Sequence, residues 1–340
     1  MPEGQNRGVL LVDLEGTQLT TEEESLLLLE SIAGVVLFSR NYQSRGQLIS
    51  LTSEIRKLRP DILICVDQEG GRVQRFIKGF TRLPPAMAYS QYDQYLQQEI
   101  ALESGWLMAS ELLACGVDLC LGPVLDIDHG RTDIVGNRAF GHSHEQVVKL
   151  AAAWIDGVHD AGMSVVIKHF PGHGNVDDDS HLSLPVDQRS LELIEQTDLQ
   201  TFKAMIDRGG VEAVMPAHIL FPAIDEAPVG FSSKWLQTIL RGRLRYDGLI
   251  MSDCLSMEGA AALGGYSERA QAALEAGCDL LIVCDRQGVL DVLNGLEPLK
   301  LKGPGPFHLM PGRYPDWEQL VSSSRYQDIQ QLLINSAHHC

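Results

Sequence analysis

Asp61-Ile62-Leu63-Ile64-Cys65-Val66-Asp67 is a continuous apolar run with a carboxylate at either end. A half-buried strand alternates apolar and polar residues. A strand covered on both faces of a parallel sheet instead reads as an unbroken Val/Ile/Leu run. Seven further runs of this kind occupy 8–12, 34–38, 116–121, 164–167, 211–215, 248–251 and 278–283. Stretches of helical period lie between them, at 21–32, 99–114, 143–159, 191–207, 233–244 and 267–276. Thr21-x-x-Glu24 and Ser143-x-x-Gln146 carry the capping-box pattern of a helix start. Gly116, Gly162 and Gly277 stand where helices would end ahead of strands.

Eight strands alternating with helices predict an α/β protein, a (β/α)8 barrel of the TIM type, with an open doubly wound sheet as the competing topology. The residues that close the runs favour the barrel: Asp13, Arg40-Asn41, Asp67, Asp126, Lys168-His169, His218, Asp253 and Asp285. A barrel gathers its strand C-termini around one mouth, whereas an open sheet spreads them along an edge. Residues 1–297 are expected to form one catalytic barrel. Residues 298–340 are expected to be a linker through Gly303-Pro304-Gly305-Pro306 followed by a C-terminal helical extension, one helix over 316–336, packed on the outside.

The chain has 340 residues and a formal net charge of -18. Nucleic acid and anionic membranes need a basic surface, and no Lys/Arg-rich block is present. No apolar stretch approaches membrane-spanning length, and Met1-Pro2-Glu3-Gly4 opens no secretion signal. Seven cysteines, mostly inside apolar runs and without a CxxC, read as reduced thiols. The expectation is a cytoplasmic monomer with no cofactor and no metal, and no nucleic-acid or membrane partner.

The densest chemistry lies in Lys168-His169-Phe170-Pro171-Gly172-His173-Gly174-Asn175-Val176-Asp177-Asp178-Asp179-Ser180-His181. It follows a strand, and its Pro-Gly and His-Gly breakers make it a long loop at the barrel mouth. Two readings compete. His and Asp can hold zinc, but the i, i+4 spacing of His169 and His173 needs a helix that Pro171, Gly172 and Gly174 oppose. Alternatively, Asp179-x-His181 in extended backbone presents both side chains on one face. The aspartate would then hold the imidazole's tautomer for acid/base work near neutral pH.

Asp253 closes the run 248–251, and aspartate is disfavoured in strands. It reads either as a helix N-cap or as a carboxylate nucleophile pointing into the mouth. Asp67, ahead of Gln68-Glu69-Gly70-Gly71-Arg72-Val73-Gln74-Arg75, could grip sugar hydroxyls or stabilise a turn. Arg138, alone in the loop Val135-Gly136-Asn137-Arg138-Ala139-Phe140-Gly141, reads by itself as a surface residue.

Together these motifs resemble glycoside hydrolase family 3, in its single-domain bacterial β-N-acetylhexosaminidases of cell-wall recycling. The matching stretches are Lys168 to Gly174, Asp179 to His181, Gly136 to Phe140, Asp67 to Val73 and Met215 to His218, within a resemblance running from about Gly8 to Asp285. The resemblance implies a (β/α)8-type barrel and hydrolysis with retention. It implies Asp253 as nucleophile and His181 as acid/base assisted by Asp179. It also implies Asp67, Arg75, Arg138, Lys168 and His169 as binders of a terminal N-acetylglucosamine, with a 1,6-anhydro-muropeptide as leaving group. His173 and His218 receive no role. Cys254 departs from the family, which commonly has a second acid there, and Leu244 to Gly248 departs from its usual Gly-Phe pairing. A metal-dependent barrel hydrolase built on the histidine loop and a non-catalytic sugar-binding barrel are the alternatives.

Overall fold

The computed structural model describes residues 7–131, 133–176, 180 and 183–336. All eight apolar runs form strands. In chain order they are β1 (Leu10–Asp13), β2 (Ile32–Leu37), β3 (Leu63–Val66), a hairpin of β4 (Gln68–Gly70) and β5 (Val73–Gln74), β6 (Leu119–Cys120), β7 (Val166–Phe170), β8 (Ala213–Pro216), β9 (Leu249–Ile250) and β10 (Leu281–Val283). Parallel ladders join them in two arcs, β10-β1-β2-β3-β6 and β7-β8-β9. Isolated parallel bridges span both seams, Cys120 to Val165 and Val124 to Lys168 at the first and Met251 to Leu280 at the second. At the first seam Pro123 follows β6, and with no N–H it can only accept, from Lys168 N at 3.1 Å.

The two faces of these strands build two cores. Leu11, Ala33, Leu63, Leu119, Val166, Ala213, Leu249 and Ile282, one from each of the eight arc strands, meet in a common interior cluster. Leu10, Val35, Ile64, Cys120, Ile167, Val214, Ile250 and Leu281 face the other way, into the cluster shared with the helices. This is the layering of a (β/α)8 barrel, with ladders inside each arc and isolated bridges between them.

The helices are α1 (Thr21–Leu27), α2 (Arg45–Leu58), α3 (Gln97–Leu113), α4 (His144–Ala161), α5 (Leu191–Glu195), α6 (Leu199–Arg208), a π-helix Lys234–Arg243, α7 (Glu258–Ala261), α8 (Tyr266–Ala276), α9 (Arg286–Gly295), α10 (Trp317–Ser322) and α11 (Ser324–Ser336). α4 shows why the pattern works. Ser143 Oγ accepts from Gln146 N at 3.3 Å, Gly162 closes the helix at φ 90°, and Val147, Leu150, Ala151, Trp154, Ile155 and Val158 form its buried stripe. Its closest neighbour is α3. A Cβ on Gly157 would stand 1.8 Å from Leu102 O, and one on Gly105 would stand 2.2 Å from Trp154 O. Backbone meets backbone there, so only glycine fits.

Several expectations shift. The first capping box sits one residue early, with Thr20 Oγ1 accepting from Glu23 N (3.2 Å) and Glu23 accepting from Thr20 N (2.8 Å). Glu23 also accepts from Glu15 N and Arg286, and that network buries it fully. The helix expected over 191–207 breaks between α5 and α6. There Thr197 Oγ1 bonds back to Leu193 O, and the Asp198 carboxylate is drawn to His129 and Arg189. The final helix expected over 316–336 is two, parted at Ser323, whose hydroxyl donates to Leu320 O at 2.7 Å. The segment before them reaches inside, where Leu309 is fully buried in the barrel's interior cluster.

Candidate active site

At the C-terminal ends of the strands lies a cavity of about 590 Å³, lined among others by Asp67, Arg75, Arg138, Lys168, His169, His173, Met215 and Asp253. One wall is a buried ionic cluster. Lys168 Nζ, on β7 and only 3% exposed, donates to Asp67 Oδ1 at 2.8 Å and meets Glu69 Oε1 at 2.7 Å. Arg138 grips Glu69 with both Nε (2.8 Å) and Nη2 (2.7 Å). Arg75 Nη2 donates to Asp67 Oδ2 at 3.3 Å. The β4–β5 hairpin holds these groups in place through Gln68, whose amide donates to Phe76 O (2.9 Å) and accepts from Phe76 N (3.0 Å). Burial opposes ionisation of both acids. Lys168 and Arg75 together outweigh it at Asp67, and Arg138 with Lys168 outweighs it at Glu69, so both carboxyls sit below their ordinary values. The same pairs hold Lys168 above the ordinary lysine value against its own burial.

A second cluster centres on Asp126, which is fully buried. Its Oδ1 accepts from the backbone N–H of His169 (3.2 Å) and of His173 (2.7 Å), and its Oδ2 lies 2.7 Å from His169 Nδ1. Donation from Nδ1 to the carboxylate fixes the tautomer that leaves His169 Nε2 as the acceptor. The Lys168-His169 peptide is cis, and both side chains line the cavity. Burial and the nearby His169 push the His173 imidazole down to about 4, so it stays neutral. Its Nε2 lies 3.2 Å from Ser180 Oγ, and its Nδ1 is buried without a partner among the described residues.

Asp253 stands on the opposite wall, after β9. Cys254 N donates to its Oδ1 at 2.7 Å. Burial opposes its charge, but His218, His169, the Cys254 N–H and Lys168 together hold the carboxyl below its ordinary value. An ionised carboxylate at this position can attack an electrophilic carbon. His218 lies beneath it, stacked on Phe231 with ring centroids 5.3 Å apart and with Nε2 3.1 Å from Cys254 O.

The structure therefore gathers Asp67, Arg75, Arg138, Lys168, His169 and Asp253 around one cavity. Asp179 and His181 lie outside the described residues. Among the described residues no group of three or more His, Cys, Asp or Glu side chains is placed to hold a metal ion, and no helix is long and apolar enough to cross a membrane.

Residues 8–302 match the model of the glycosyl hydrolase family 3 N-terminal domain. The chain belongs to glycoside hydrolase family 3. It is thus a glycosidase. Within the family it is 47% identical over 326 residues to a protein of Tolumonas auensis named beta-hexosaminidase, covering 95% of this chain and 96% of that one. A beta-hexosaminidase of Methylococcus capsulatus is 51% identical over 288 residues, covering 84% of this chain and 86% of its own. Native NagZ from Neisseria gonorrhoeae superposes with a TM-score of 0.88 at 40% identity, over 98% of both chains. The same protein has been crystallised with N-trifluoroacetyl-D-glucosamine, and that structure superposes at a TM-score of 0.86 and 39% identity, over 98% of this chain and 99% of the other.

Besides His173 and His218, two site residues carry no role in the sequence reading. Glu69 is one. It stands two residues after Asp67, and period-two alternation could have placed both acids on the same side. Asp126 is the other. It closes a run like Asp67 and Asp253 do, but its partners are backbone N–H groups and a histidine 43 positions away, which no local side-chain pattern reveals.

Proposed function

We propose that the protein is a retaining exo-β-N-acetylglucosaminidase that acts on recycled peptidoglycan fragments in the cytoplasm. The observation that carries the reading is the Asp253 carboxylate lining one cavity with Asp67, Arg75, Arg138, Lys168 and His169. Buried acids and bases of that kind can orient a polyhydroxylated ring through charge-assisted hydrogen bonds. The relative holding N-trifluoroacetyl-D-glucosamine supports N-acetylglucosamine as the ring bound.

In this mechanism His181, supported by Asp179, protonates the glycosidic oxygen as Asp253 attacks the anomeric carbon. The leaving sugar departs and a glycosyl-enzyme ester forms. His181 then takes a proton from water, whose oxygen attacks the same carbon and returns the carboxylate to Asp253. Two inversions give net retention. The imidazole replaces the second carboxylic acid of most glycosidases and needs no burial to titrate near neutrality. The leaving group in this reading is a 1,6-anhydro-muropeptide. Its negative charge would meet Arg40, Arg72 and Arg75 on the cavity lining.

The test is turnover of an aryl N-acetyl-β-glucosaminide, with the first-formed anomer followed by NMR. Asp253→Ala should fold and lose turnover, and the parent should release the β-anomer first. Near-parental activity in Asp253→Ala, or first release of the α-anomer, overturns the mechanism. Turnover should survive exhaustive chelation. Loss restored by added zinc would replace this reading with a metal-dependent one.

A further inference from the structure

Two thiols stand in the cavity that the mechanism does not use. Cys254 follows Asp253 directly, and Cys284 follows β10. Both line the cavity and both are partly exposed. The second seam of the barrel brings them together. Met251 bridges Leu280, Ser252 N donates to Leu280 O at 2.8 Å, and Leu255 N donates to Ile282 O at 2.8 Å. Cys254 and Cys284 therefore ride on adjacent strand ends and line the same cavity. Neighbouring strands run about 4.8 Å apart, inside the Cα separation of about 4.4–6.8 Å that a disulfide accepts.

We propose that Cys254 and Cys284 are a redox-modification site: hydrogen peroxide oxidises them to a disulfide, and the bridge disables the adjacent Asp253. The Cys254 thiolate attacks the O–O bond of the peroxide, giving a sulfenic acid and releasing the other oxygen as hydroxide, which takes up the displaced proton as water. The Cys284 sulfur then attacks the sulfenic sulfur, loses its proton and expels a second water. Two thiols are oxidised and one peroxide is reduced to two waters.

The surroundings suit Cys254 as the first nucleophile. The Cys284 side chain and the N–H groups of Ser256 and Cys284 stabilise its thiolate and hold the thiol below its ordinary value, against burial. The contrast with the core is sharp. Burial pushes Cys115 and Cys120 up to about 12, which leaves them inert as thiols. The coupling to catalysis is equally direct. Cys254 supplies the N–H that holds Asp253 Oδ1, and its carbonyl lies 3.1 Å from His218 Nε2. A bridge to Cys284 pulls on the backbone between those two contacts.

The experiment treats the full-length protein, reduced and freed of reductant, with hydrogen peroxide. Peptide mapping by mass spectrometry follows the thiols, and aryl N-acetyl-β-glucosaminide turnover is measured relative to each sample's untreated rate. A Cys254–Cys284 peptide lighter by two hydrogens should accumulate as turnover falls at least tenfold, and dithiothreitol should reverse both. Cys284→Ser should form no bridge, and its Cys254 should pass to sulfinic acid with a loss that dithiothreitol does not restore. Cys284→Ala serves if the serine variant does not fold. Peroxide-treated parent whose Cys254 and Cys284 both still alkylate overturns the proposal, as does a bridge that leaves turnover unchanged. The mapping needs no glycosidase activity, so a wrong function and a wrong thiol pair give different results.

Discussion

Glu69→Gln is the most informative single change in the site. The glutamate accepts three charge-assisted bonds, from Arg138 Nε and Nη2 and from Lys168 Nζ, at 2.7–2.8 Å. Glutamine keeps the shape and one acceptor oxygen. If that oxygen takes the place of Oε1, it still serves Arg138 Nη2 and Lys168, now as a neutral acceptor. The new amide N–H then faces Arg138 Nε, donor against donor. Charged hydrogen bonds contribute about 1.5–3 kcal/mol each, so losing one and weakening two costs about 3 kcal/mol. That figure lies at the lower end of the about 3–5 kcal/mol expected when one partner of a buried pair is removed. The expected readout is a lower urea midpoint at unchanged slope, together with a raised KM, because Arg138 and Lys168 line the sugar cavity. The double variant with Arg138→Gln separates this cause from general disruption. Its destabilisation should fall short of the sum of the two single changes by about 1.5 kcal/mol or more, as directly coupled groups do. A Glu69→Gln protein within about 0.5 kcal/mol of the parent, or strictly additive changes, would refute the reasoning.

Other outcomes follow from the same geometry. His173 has a folded value of about 4 against an ordinary 6.5, so the unfolded chain takes up its proton first as pH falls. Its contribution is complete above pH 6.5 and is lost between there and about 4, by about 3 kcal/mol at most; urea midpoints measured across that window should flatten in His173→Gln, and parallel curves would contradict it. Asp126→Asn removes the carboxylate that sets the His169 tautomer, and kcat/KM should fall about 10- to 100-fold, as outer partners of functional histidines do; an unchanged pH–rate profile would count against that role. Gly157→Ala drives a methyl into Leu102 O and should lower stability by about 1–3 kcal/mol or more; a thermal midpoint equal to the parent's would mean that α3 and α4 can separate freely.

The fold was largely legible because its signal is local. Each strand announces itself as a short apolar run, and each of Asp67, Lys168 and Asp253 stands at or just past the C-terminal end of one. What escaped was set by partners far away in sequence. Taken by itself Arg138 reads as a surface residue, because its partner, Glu69, is 69 positions distant, and only the family resemblance implies a binding role. The break after α5 escaped for the same reason, since Asp198 is held by His129 from a loop 69 residues upstream. Helices α2 and α9 were not singled out, although α2 carries Leu48, Leu51, Thr52 and Ile55 at helical spacing.

The two arcs of the barrel have a consequence for biogenesis. Asp67, Glu69, Asp126 and Arg138 belong to the five-stranded arc and its loops, while Lys168, His169 and Asp253 belong to the three-stranded arc. Neither arc by itself contains the whole of the proposed sugar pocket. The pocket comes into being when Lys168 meets Asp67 and Glu69, and His169 meets Asp126, across the first seam. On the proposed function, ligand binding is therefore a certificate of finished assembly, because a nascent or partly opened chain lacks one wall of the site.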